Sequence, residues 1–145
     1  MLDKPKKSAE VDVCALLRAH GVSPTVQRTT VARALFRRRG HLSAEDLFHL
    51  VNEEDGSARV SKATVYNTLN LLVSSGVVRA VIAGSNRVMY DANVSAHHHF
   101  YDVVTGELTD IDVREVHLSK LPLLPEGAVL QGVDIIFRIR GVAKI

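Results

Sequence analysis

A single cysteine, Cys14, leaves this chain unable to close an intrachain disulfide or to build a zinc clip from several thiolates. No apolar run approaches the roughly 20 residues that a membrane span needs. The opening MLDKPKKSAE is basic and polar with no apolar stretch behind it, unlike a secretory leader. These absences point to a cytoplasmic protein that works away from membranes. The chain has no internal repeat, low-complexity tract or phosphate loop, and no nucleophile or second carboxylate pair stands out. An enzyme is therefore not expected. An iron hydrolase or oxygenase using two histidines and a carboxylate is the rival class, and a metal- or haem-storage module is a third. Both would leave the front half of the chain idle.

What is present fits one compact unit or two small subdomains: 145 residues, 46% of them hydrophobic. The net charge of +2 is unevenly divided. Residues 1–92 hold thirteen Lys/Arg against nine Asp/Glu, and residues 93–145 hold five against seven. A basic front half and an acidic, histidine-bearing back half suggest a polyanion binder joined to a cation binder.

Residues 1–7 read as a loose basic tail. Ser8 is placed to cap a first helix with Val11, Ala15 and Leu16 inward, ending at Gly21. After Pro24 a second helix runs from about Thr25 to Gly40, with Val31, Ala34 and Leu35 inward. Ser43 and Asp46 form a capping box for a third helix, with aspartate where Glu or Gln is usual. EEDGSAR is a polar loop. SKATVYNTLNLLVSSG is a helix capped by Ser61 and closed by Gly76, and Val65, Leu69, Leu72 and Val73 make its buried stripe. VVRAVI, the turn AGSN and RVMYDA then read as a β-hairpin. Three helices and a hairpin make a winged helix-turn-helix, assigned to residues 1–92.

From residue 93 the pattern changes. HHHFYDVV and ELTDIDV flank a Thr-Gly turn as a second hairpin. VREVHLSKL reads as a short helix stopped by Pro122 and Pro125. AVLQGVDIIFRIRGV reads as a final strand with Ile135, Phe137 and Ile139 on one face. The fold class is α+β.

A helix fits the major groove, where base edges carry readable donors and acceptors. The first two turns after Ser61 carry Lys62, Thr64, Tyr66 and Asn67, with Asn70 beyond, and none is acidic. Asn67 suits adenine, Lys62 a guanine or phosphate, and Tyr66 a thymine methyl. Thr25 and Arg28 could hold phosphates, and Arg87 at the hairpin tip is a candidate backbone contact. The expected partner is double-stranded DNA.

In the run His97, His98, His99, a strand's alternation puts His97 and His99 on one face and His98 on the other. Two imidazoles at i, i+2 can grip one ion, given further ligands. Asp91 and Asp110 are suitable oxygens, and His41, in the loop before the third helix, is a candidate fifth ligand from the DNA-binding half. Such a set suits Fe(II), Mn(II), Zn(II) or Co(II). His98 would need its own partners, of which His117, Asp102 and Asp134 are the nearest candidates.

The segments PTVQRTTVARAL, HLSAEDLF, SKATVYNTLNLLVSSGVV, YDAN and HHH together resemble the ferric uptake regulator family of metal-sensing transcription factors. The resemblance spans about residues 20 to 120. It implies a homodimer, with a winged helix-turn-helix followed by a small α/β dimerisation half over residues 93–145, binding A/T-rich inverted repeats under metal control. The family's regulatory site falls on His41, Asp91, His97, His99 and Asp110. A second site of some members maps onto His98 and His117, with Asp134 the loosest assignment. Many members hold a structural zinc on two CxxC pairs. Here the first pair falls at Asp102 and Thr105 and no second pair follows, so a four-thiolate zinc is excluded. The cysteine-poor pattern and LPLLPEGAVLQGVDIIFRIR look most like the iron response regulators of the family, which answer to iron or haem. The Cys-Pro haem motif of some of those is missing, since Ala15 follows Cys14, so the histidine triplet is the expected haem anchor. The peroxide-sensing branch is the alternative, with Asp110 as the aspartate that branch favours and His41 and His99 as the oxidised residues.

Overall fold

Helix caps set the boundaries of the front half. In the computed structural model, which describes residues 12–38, 40–53, 59–84, 87–95 and 97–141, α1 spans Val13–Ala19, α2 Val26–Arg37, α3 Ala44–Glu53 and α4 Lys62–Ser74. The Thr25 hydroxyl accepts the Arg28 N–H at 3.2 Å and opens α2. Ser43 and Asp46 exchange hydrogen bonds, Ser43 N to Asp46 Oδ2 at 3.2 Å and Asp46 N to Ser43 Oγ at 3.1 Å. That is a capping box in which the shorter aspartate still reaches. The Ser61 hydroxyl accepts the Thr64 N–H at 3.1 Å. At the other end of α4, Gly76 adopts φ +80 while Gly76 N donates to Val73 O and Val77 N to Leu72 O. This Schellman closure needs a left-handed residue, which glycine supplies without strain.

The first helix differs from expectation. Its cap is Asp12, and its buried residues are Val13 and Leu17 rather than Ala15 and Leu16. The inward stripe is thus shifted; Ser8 and Val11 lie outside the described residues, as do 54–58 of the polar loop. In α2 and α4 the expected positions are inward, Val73 only partly, and Leu17, Leu35, Leu47, Leu69 and Leu72 form a fully buried centre. Each such leucine contributes about 1.5–3 kcal/mol through removal of apolar surface from water.

The described residues also form two three-stranded sheets. One has the order β1-β3-β2, with β1 at His41–Ser43, β2 at Arg79–Ala83 and β3 at Arg87–Asp91. The other has the order β5-β4-β6, with β4 at His97–Asp102, β5 at Leu108–Asp112 and β6 at Ile136–Ile139. β4 and β5 pair antiparallel, while β6 runs parallel to β4. His41 is therefore on a strand, not in a loop, and faces Asp91 in the β1–β3 register.

The segment from 113 departs further from expectation. A single 3-10 turn, Val113–Glu115, replaces the expected helix, and residues 116–135 form neither helix nor strand. The Asp112 carboxylate caps one turn through Arg114 N, but β-branched Val113 and Val116 and the prolines that follow give nothing to extend it. The last strand is confined to four residues.

Contacts divide the chain into two compact units. The first holds the described residues up to Val81 together with Val88–Val94, and the second holds those of Ile82–Arg87 and from Ser95 onward. The hairpin tip is thus grouped with the second unit, on the other side of the expected boundary at residue 92 from its own strands. Among the described residues no helix is long and apolar enough to cross a membrane.

Asp102, where a CxxC pair would begin, ties the β4–β5 turn together. Its carboxylate accepts from Val104 N at 2.8 Å, Thr105 N at 3.2 Å and Gly141 N at 3.3 Å. These bonds, the one from Val104 foremost, hold its pKa below the ordinary value of 3.8. Asp112 is shifted the same way by Arg114. A depressed carboxylate stabilises the fold above its unfolded pKa, and that contribution is lost as pH falls through the folded one. Metal-free wild type should therefore melt higher than Asp102→Ala at neutral pH. The gap should narrow below about pH 4 and vanish under more acid conditions, as read from melting curves across that range.

Candidate metal centre and nucleic-acid face

Strand register brings the donors together within each unit. In the second unit, His99 stands directly opposite Asp110 and His97 is one pleat repeat away. Asp110 Oδ1 lies 3.4 Å from His97 Nε2 and 3.4 Å from His99 Nε2, and the two rings meet edge to face with centroids 4.6 Å apart. His99 is fully buried and His97 nearly so, whereas Asp110 is partly open to solvent.

A backbone carbonyl fixes the tautomer of His97. Its Nδ1 is 2.5 Å from the Ser95 carbonyl oxygen. A carbonyl can only accept, so Nδ1 carries the proton. In the neutral ring Nε2 then aims a lone pair at the Asp110 carboxylate. A cation placed between these two atoms would be held by both. At 3.4 Å the gap is long for an N–H···O bond, which prefers about 2.7–3.2 Å. It matches the roughly 3.0–3.5 Å that separates two donors each about 2.0–2.2 Å from one cation. The backbone bond on the far nitrogen is the usual way a ligating histidine is oriented.

In the first unit, His41 Nε2 and Asp91 Oδ2 are 3.0 Å apart with both side chains buried. Asp91 also accepts from Asn93 N at 2.9 Å. The β1–β3 ladder makes this pair. Periodicity could not reveal it, because three residues are too few to show alternation.

The set of His98, His117 and Asp134 is not brought together: no group of three candidate ligands among the described residues includes any of them. His98 Nδ1 accepts the Ile135 N–H at 3.2 Å. A neutral His98 then keeps its proton on Nε2 and offers a metal no lone pair. His117 is exposed. All three members of the histidine run are buried on a central strand.

The second candidate surface lies in the first unit. A cavity of about 530 Å³ is lined by Thr25, Val26, Gln27 and Arg28 from the start of α2 and by Thr64, Asn67, Thr68 and Leu71 from α4. Thr25, Arg28, Thr64 and Asn67 are among the residues expected to face DNA. Val26 and Gln27 are not, although Val26 is 75% exposed at the first position of a capped helix. Arg28 is steered by a bond from its guanidinium to Ser23 O. Lys62 sits apart from this cavity, 3.7 Å from Glu45 and 5.7 Å above the Phe48 ring. Tyr66 is exposed, close enough to Tyr90 to add to the upward pKa shift that burial imposes on Tyr90. Arg87 belongs to the second unit, where its guanidinium lies beside Gly106.

The family model described as "Ferric uptake regulator family" matches residues 19–135. The peroxide-responsive repressor PerR of Staphylococcus aureus is 26% identical over 103 residues, covering 71% of this chain and 68% of that protein. Among solved structures, the ferric uptake regulator of Pseudomonas aeruginosa with manganese superposes with a TM-score of 0.68 at 24% identity, over 90% of this chain and 98% of that one. The ferric uptake regulator of Francisella tularensis with iron gives 0.67 at 19% identity, over 83% and 92%.

Proposed function

Since this chain belongs to the ferric uptake regulator family of metal-responsive transcriptional regulators, we propose that it binds promoter DNA as a homodimer under the control of one divalent cation, and that it governs genes of iron homeostasis, most simply as a repressor. The carrying observation is Asp110 Oδ1 at 3.4 Å from both His97 Nε2 and His99 Nε2, with His97 held by Ser95 so that its lone pair faces the carboxylate. In this reading His41 and Asp91 supply the remaining donors. A mixed nitrogen and oxygen set favours Fe(II) or Mn(II), with Zn(II) a competitor. The bound ion supplies the charge that lets these acceptors share one point. Relatives carrying manganese and iron support the choice.

The α4 face with Lys62, Thr64, Tyr66 and Asn67 is the proposed reading surface, and Thr25 and Arg28 the proposed phosphate contacts. The proposed dimer surface is the β4–β6 face on which Phe100 and Phe137 sit 5.9 Å apart with Ile139 beyond. The segment after β5 adds exposed leucines, including Leu123 at 99% exposure. Apolar exposure of this extent marks a surface meant to be covered. No catalytic residue is assigned, and a cytoplasmic setting follows from the DNA partner.

The test is a gel shift with a duplex selected from a random pool by metal-loaded protein. Chelation should weaken binding at least tenfold, and Mn(II) should restore it. Equal affinity with and without chelator would remove metal control and leave DNA binding intact. A second reading, peroxide sensing, is favoured by the aspartate at position 110 and by the similarity to a peroxide-responsive repressor. Peroxide given to Fe(II)-loaded protein would then place one of its oxygen atoms on His41 or His99 while the other leaves as water, and mass spectrometry of the peptides reads that gain. Unmodified histidines after DNA release would favour iron sensing.

A further inference from the structure

The second unit contains more than the donor cluster and the sheet that carries it. The described residues of Ile82–Arg87, the tip of the β2–β3 hairpin, belong to it as well. Two contacts hold the tip there. The Tyr101 hydroxyl lies 2.7 Å from the point where a Cβ on Gly84 would stand, with ring atoms Cζ at 3.1 Å and Cε1 at 3.3 Å. Arg87 Nη1 lies 3.3 Å from the point where a Cβ on Gly106, in the β4–β5 turn, would stand. Gly84 adopts φ +64, so the turn needs glycine for its backbone, and the tyrosine uses the space that the missing side chain leaves.

Tyr101 is not an arbitrary position on β4. Strand alternation puts residues 97, 99 and 101 on one face. Tyr101 therefore stands one pleat repeat, roughly 7 Å, beyond His99 on the face that carries His97 and His99. A strand hydrogen-bonded on both sides, to β5 and to β6, moves as a rod rather than residue by residue. Whatever reorients the two imidazoles turns or shifts the tyrosine with them.

We propose that Tyr101 is a positioning residue that couples the β4 imidazoles to the hairpin tip: by filling the space over Gly84, it makes the placement of the wing depend on the state of His97 and His99. This deepens the metal-responsive reading above and rests on it. Tyr101 itself offers no ligand to the cluster, so removing it should leave metal binding in place and cut the line to the wing.

Hydrogen exchange of the peptide covering 82–87, read by mass spectrometry on the full chain with and without one equivalent of Zn(II), tests the idea directly. In wild type Zn(II) should slow exchange of that peptide at least threefold. In Tyr101→Ala the slowing should disappear while zinc stoichiometry, measured on the same sample, stays that of wild type. The metal-dependent gain in DNA affinity should fall at least fivefold. Tyr101→Phe, which retains the ring edge against Gly84, should keep more than half of the slowing and also serves if the alanine variant folds poorly. Full slowing in Tyr101→Ala overturns the proposal. So does a wild-type tip whose exchange ignores Zn(II) while DNA binding still responds to metal, a result that spares the regulatory reading. The reverse pattern, a tip that responds to Zn(II) in a protein whose DNA affinity does not, supports the coupling and sinks the regulatory reading instead.

Discussion

Replacing both His97 and His99 with alanine is expected to empty the regulatory site: after loading with Mn(II) and desalting, metal content should fall from full occupancy to a trace. The two imidazoles are two of the three donors that the second unit contributes, and both point Nε2 at Asp110. Loss of even an outer-shell partner costs about 10–100-fold in metal affinity, so losing two direct donors should cost on the order of 10²–10⁴-fold. DNA affinity in the variant should then be low and indifferent to chelator. Because His99 is fully buried, its truncation also leaves a void, and a melting curve of the metal-free variant is the necessary control. Asp110→Ala avoids that difficulty. Its carboxylate is 46% exposed, so no cavity forms, and the loss should still exceed tenfold. Full occupancy in the double variant would place the cation elsewhere.

The other large effect is expected on α4. Asn67 is exposed beside the cavity between α2 and α4. If its amide reads an adenine edge in the bidentate manner, Asn67→Ala should weaken specific binding by about 1–3 kcal/mol, roughly 5- to 150-fold, and relax preference at one base pair. Lys62→Ala should act differently. An ammonium on a phosphate contributes through counterion release, so its removal should weaken binding to all sequences alike and lower the salt slope by about one. The Lys62–Glu45 pair is no obstacle, since an exposed pair of this kind is worth about 0–1 kcal/mol and the lysine is free to swing away. Neither change should alter metal content. Wild-type affinity in both variants would mean that α4 is not the reading helix.

The sequence made α4 legible because every local signal agreed: a serine whose hydroxyl meets Thr64 N, a glycine at the one position that must be left-handed, and a stripe of Val65, Leu69 and Leu72 between them. The Ser43–Asp46 box was readable for the same reason, with both partners inside one turn. The failures have a common cause in distance along the chain. β1 has three residues and exists because β3 pairs with it, 50 residues further on at the His41–Asp91 step. β6 is short and owes its place to the parallel ladder with β4. The short helix expected over VREVHLSKL meets β-branched residues that do not sustain it. Of the candidate donors, the alternation of β4 correctly separated His98 from its neighbours. That its Nδ1 would be occupied by Ile135 N depends on a segment 37 residues away and left no trace in the pattern. Tyr101 was within reach of the same alternation, but nothing local shows that Gly84 lies beneath it.

Only Leu42 separates His41 from Ser43, whose hydroxyl starts α3. The donor is thus bolted to the helical framework with no slack: three consecutive residues take it from strand to capping box, too few to stretch or pivot. A pull of a few tenths of an ångström on that imidazole cannot be absorbed by a flexible tether and must arrive at the first turn of α3. Lengthening this stretch by even one residue would act like play in a linkage, leaving both ends sound and the motion lost between them.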